Sequence, residues 1–166
     1  MTKIITCIAL FVASVLSSQT TFDEEMRKAL QTWKGGNPKE AIVHLERIAL
    51  VEKNNWLPNY YIAFIQTTQA FEEKDKAKME SLLNAAQIAQ DKCNEILLDN
   101  PEILVMQAMI HTARIVFDPM TNGQKLSGDV LYILNKAYKI APENPRVVYQ
   151  KASFEIGMAQ YFGQDT

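Results

Sequence analysis

TFDEEMRKALQTWKGGNPKEAIVHLERIALV, Thr21 to Val51, carries the grammar of two antiparallel helices joined by a short turn. Thr21 and Glu24 form a T-x-x-E capping box, in which side chains satisfy backbone N–H groups that a helix start leaves orphaned. Phe22, Met26, Ala29, Leu30 and Trp33 follow at helical spacing, so one face is expected to be buried. Gly35 and Gly36 end this helix, because the left-handed terminal conformation is cheap only for glycine. Asn37 is expected to cap the next helix, with Pro38 at its first position, where proline loses no needed hydrogen bond. The second stripe is Ala41, Ile42, Leu45, Ile48 and Ala49, and a turn this short sets the two stripes face to face.

The same pattern recurs downstream. A third helix is expected from Pro58 to about Phe71, apolar nearly all round and therefore sandwiched between neighbours. A fourth runs from the charged stretch Glu72–Lys78 to about Leu98, with Leu82, Ala86, Ala89, Cys93 and Ile96 on one seam. Asn100-Pro101 opens a fifth helix to about Phe117. A loop, Asp118 to Ser127, precedes a sixth from Asp129 to Ala141, striped by Val130, Leu134, Ala137 and Tyr138. Asn144-Pro145 starts a seventh, whose expected stripe is Val148, Ala152, Ile156 and Ala159. The fold class is all-α: about seven helices in antiparallel pairs.

Residues 1–18 belong to a different class. Lys3 precedes an uncharged, predominantly apolar run, Ile4 to Leu16, followed by Ser17, Ser18 and Gln19. That is the layout of a cleaved secretory signal peptide, with the cut between Ser17 and Thr20. The run is shorter than the roughly 20 residues a spanning helix needs. Cys7 sits too early in it to be a lipidated cysteine. The mature domain, 19–166, is expected in the periplasm or outside the cell, with no membrane segment after cleavage. Its one cysteine, Cys93, cannot form an internal disulfide, so an apolar core must hold the fold. The net charge of -2 leaves no basic stripe for nucleic acid.

Core alanines mark the repeat. Ala29 and Ala63 are 34 residues apart, the period of the tetratricopeptide repeat, whereas Ala63, Ala108 and Ala152 follow at the longer intervals of 45 and 44. GGNPKEAIVHLERIAL resembles the turn and second helix of that repeat, with Ala41 at its small position and Leu45 at its large one. Ala137 followed by Pro142 fits a repeat end. Over nearly its whole length the chain resembles exported tetratricopeptide-like proteins of Gram-negative bacteria. The shared segments are Asp118-Pro119-Met120 with Gly123-Gln124-Lys125, and Asn144 to Tyr149. Members of that group continue past Phe162 to Thr166. The resemblance therefore implies a truncated chain whose seventh helix lacks its partner and can self-associate. It also implies a superhelix whose concave face is lined by the first helix of each pair. By that register the groove residues are Met26, Leu30, Trp33, Tyr60, Phe64 and Thr67, and the function is non-catalytic binding of a protein or peptide.

No chemistry stands out beside this scaffold. Glu40 and His44 share a helix face, but two ligands are too few for zinc and no HExxH pattern is present. Asp118, Asn122, Gly123 and Asp129 fit positions 1, 5, 6 and 12 of a calcium loop, yet Met120 stands where position 3 needs an oxygen. Neither metal nor cofactor is expected, and no catalytic residue. The alternative reading is a small-ligand or enzymatic pocket between helices three, five and seven, with His111 and Arg114 as its polar groups.

Overall fold

The computed structural model describes residues 21–161 and 163. The expected signal peptide and the final residues, 164–166, lie outside that range. Seven α-helices carry the described chain: α1 (21–34), α2 (Pro38–Val51), α3 (Leu57–Glu72), α4 (Lys76–Ile96), α5 (Pro101–Phe117), α6 (Gln124–Ile140) and α7 (Pro145–Tyr161). A short π-helical turn, Pro119–Gly123, joins α5 to α6. No strand occurs among the described residues, and no helix there is long and apolar enough to cross a membrane.

The chain divides into two compact units at Lys53 and Asn54. In the first, Gly36 takes φ +85°, so the glycine turn forms as its sequence requires. Ala41 and Leu45 are fully buried, and Met26 and Ala29 on α1 are buried too. Asn37 departs from expectation: its side chain caps nothing, and Pro38 alone starts α2.

In the second unit α3 packs against α4 and α5, and α5 packs in turn against α6 and α7. Thus α3, α5 and α7 adjoin in series, each followed by the helix that pairs with it where one exists among the described residues. Real caps start these helices. Asn100 Oδ1 accepts from Glu102 N at 2.9 Å, Asn144 Oδ1 from Arg146 N at 2.9 Å, and Asp75 Oδ1 from Lys78 N at 2.9 Å. Each cap satisfies N–H groups that would otherwise lack a partner. α3 is buried on most sides, as its all-round apolarity requires. Helix α4, at 21 residues, exceeds its neighbours in length.

Three expectations are corrected. The 118–127 loop is mostly helical. Asp118 Oδ1 accepts from Thr121 N and Asn122 Nδ2 donates to the Arg114 carbonyl, so the π-helical turn is tied at both ends and α6 begins at Gln124, not Asp129. On α6, Tyr138 is exposed while Val130, Leu134 and Ala137 are buried. On α7 the buried residues are Val147 and Phe154, and the expected stripe of Val148, Ala152 and Ile156 faces outward. This helix carries two apolar stripes and only one has a neighbour. The recurrent core alanine therefore holds at Ala29, Ala63 and Ala108 and fails at Ala152.

Candidate functional site

The first turns of α3, α5 and α7 meet in a polar–aromatic cluster. Pro101 and Pro145 place Glu102 and Arg146 at equivalent positions of adjoining helices, with opposite charges. Arg146 Nε lies 3.2 Å from Glu102 Oε2, and Asn144 Nδ2 donates to Glu102 Oε1 at 2.7 Å. The guanidinium also donates through Nη1 to the Tyr60 hydroxyl. Its carbon stands 5.7 Å from the Tyr60 ring centre and 5.9 Å from that of Phe64, within cation–π range of both. Tyr60 and Phe64 are stacked with centroids 6.3 Å apart, and Trp56 and Tyr61 meet Tyr60 edge-on at 5.5 Å each. Edge-to-face and offset stacks of this kind suit the ring quadrupoles. Burial pushes the Tyr60 phenol up to about 12, against the opposing pull of the Arg146 charge, so it stays a neutral donor and acceptor.

This cluster sorts the expected groove residues. Tyr60 is buried, with its hydroxyl already engaged. Phe64 is half-buried on the stack, and Thr67 is fully buried, donating to the Ala63 carbonyl of its own helix. In the first unit Met26 is buried, while Leu30 and Trp33 are half-buried. Met26 and Thr67 therefore offer a partner no surface. Arg146 of the cluster is half-exposed, and Tyr149, three residues further along α7, is 68% exposed. Sequence reasoning passed over both. The matching Asn-Pro-Glu at 100–102 and Asn-Pro-Arg at 144–146 were the available signal.

At the other end of the α5–α7 interface lies an apolar cleft of about 660 Å³. Ile115 and Val116 of α5, Met120 of the π-helical turn, and Phe154, Met158 and Tyr161 of α7 form its walls. Among the described residues its lining includes no charged side chain. A second, polar cleft of about 230 Å³ lies between α4, the end of α5 and the π-helical turn, where Lys76 stands 3.6 Å from Asp118. The backbone N–H of Thr121, foremost, holds the Asp118 carboxyl below its ordinary value.

Arg114 lines the polar cleft and donates to Asn84 of α4 at 3.0 Å; His111 lines neither cleft. His111 is half-buried with Nδ1 unpartnered. Burial depresses its pKa first; the Asp129 charge on α6 opposes this and the Arg114 charge adds to it. Cys93 is buried with its thiol against the Trp56 carbonyl at 3.4 Å, and burial pushes it up to about 12, far from a reactive thiolate. No group of three or more metal-ligating side chains occurs among the described residues. Comparison with known proteins adds no identity: no family model, curated protein or solved structure matches the chain.

Proposed function

We propose that this chain is a non-catalytic, exported binding scaffold that takes a protein or peptide partner along the row formed by α3, α5 and α7. One observation carries the reading. The three helices adjoin in series, and their first turns are locked into an aromatic shelf with a half-exposed arginine and an exposed tyrosine at its edge. Aromatic and arginine side chains dominate the energetics of protein interfaces, most of all where neighbouring contacts hold them in place before binding. Arg146 and Phe64 are held by contacts within the chain, which lowers the cost of ordering them on binding. The export part of the proposal rests on the Lys3 and Ile4–Leu16 pattern.

The test is affinity capture from an extract of the source cells with the full chain. Tyr149→Ala and Phe64→Ala serve as variants, and Trp33→Ala reports on the first unit. The proposal expects one partner retained by the wild type and lost from Tyr149→Ala and Phe64→Ala at unchanged helicity. A partner retained equally by both variants would place binding elsewhere.

A further inference from the structure

We infer that the cleft between α5, the π-helical turn, α6 and α7 is a binding site for a single unbranched aliphatic chain. This goes beyond the partner-binding row, which lies at the opposite end of the α5–α7 interface. At about 660 Å³ the cleft falls within the range of small-molecule sites. Its polar members are fewer than their names suggest. Thr112 Oγ1 donates to the Ala108 carbonyl at 2.8 Å and Ser127 Oγ to the Gly123 carbonyl at 2.7 Å. Their donors are spent on nearby backbone carbonyls, which leaves Gln124, Ser153 and the Tyr161 hydroxyl as the other polar side-chain groups of the described lining. With no charge among the described lining residues, an ionised group inside the cleft would lose its hydration without compensation from them. The buried part of the ligand is therefore uncharged.

The wall chemistry selects flexible hydrocarbon. Met120 and Met158 face the cleft, and thioether side chains adapt to a chain of changing conformation better than branched ones do. Met120, a large apolar side chain of the lining, is 84% exposed. Gly157 also lines the cleft. It lies inside α7, where glycine is a poor helix former, and it is not among the residues with positive φ. A Cβ built there meets nothing within 4 Å. Neither backbone conformation nor close packing calls for glycine at this position. What the missing side chain does is leave the cleft open.

The experiment follows methionine-methyl NMR signals of the full chain as 1-decanol is added. Met120 and Met158 are the reporters, and buried Met79 and Met106 the internal controls. Saturable shifts confined to Met120 and Met158 are expected. Gly157→Ala retains them, and Gly157→Leu, which fills the cleft from a position free of clashes, weakens binding at least tenfold. Decanoyl lysophosphatidylcholine separates the two sources of such a chain: tighter binding than 1-decanol assigns the site to a lipid, weaker binding to a free hydrocarbon compound. Non-saturating shifts, shifts spread over all methionines, or unchanged binding in Gly157→Leu would overturn the inference. So would an amphipathic helical peptide that displaces 1-decanol at lower concentration than the lysolipid. Loss of partner capture in Tyr149→Ala leaves these shifts unchanged, so the two proposals fail separately.

Discussion

Arg146→Ala and Tyr60→Phe remove opposite ends of one hydrogen bond and are expected to differ in cost about threefold. Removing Arg146 deletes a half-exposed ion pair to Glu102, for which about 0.5 kcal/mol is reasonable given solvent screening. It also deletes a cation over two rings, about 0.5–1 kcal/mol. The largest part is the Tyr60 hydroxyl, left without its partner on a ring that is only 4% exposed, at about 1–3 kcal/mol. These contributions overlap, and about 3 kcal/mol is the expected total. Tyr60→Phe keeps the stack and the ion pair, and water takes up the freed guanidinium N–H, so about 1 kcal/mol is expected. In the double variant the stranded hydroxyl is gone, and the combined cost falls short of the sum by about 2 kcal/mol. Urea unfolding followed by far-ultraviolet circular dichroism measures all three, provided the slope m is unchanged. Equal costs for the two single variants, or strict additivity, would refute the account of the cluster.

Gly157→Ala raises stability by about 0.5–1 kcal/mol, since the new methyl meets nothing and the helix gains a better former; a thermal melt shows it as a rise of roughly 2–4 °C per kcal/mol. His111, with its pKa below the ordinary 6.5, stays neutral in the fold while the unfolded chain takes up a proton. Stability therefore falls as pH drops below about 6.5, by at most about 1.4 kcal/mol per pH unit from this group, and His111→Gln flattens that slope in pH-dependent urea titrations. Of the six tyrosines, one resists ionisation until about pH 12 in a spectrophotometric titration, and Tyr60→Phe removes that late step. Amino-terminal sequencing of the exported protein should begin between Ser18 and Thr21; retention of Met1 would end the signal-peptide reading.

The local grammar was legible because it depends on neighbours in sequence. Proline at a first helical position, asparagine before it and glycine after a last turn act within a few residues, and Pro101, Pro145 and Gly36 do what their positions demand. The start of α6 was not legible. Gln124 to Gly128 reads as loop, and what makes it helical is the pair of ties from Asp118 and Asn122 plus the Ser127 bond to Gly123. The face of α7 was misread for a related reason: Val147 and Val148 both continue plausible stripes, and only the neighbouring α5 and α6 select the first. The Tyr60–Arg146 contact joins residues 86 apart, beyond any spacing rule. The cleft was harder still, because an absent side chain at Gly157 leaves no apolar residue for a pattern to register. Periodicity finds residues that fill space and is blind to those that keep it empty.

The central claim is that a partner binds along α3, α5 and α7. Photo-crosslinking tests it most directly, with a photoreactive amino acid replacing Tyr149 in one protein and Tyr132 of α6 in another, both well exposed. A single dominant adduct from position 149 and none from position 132, in source cells, is the predicted result. Equal adducts from both positions, or an adduct from 132 alone, would contradict it.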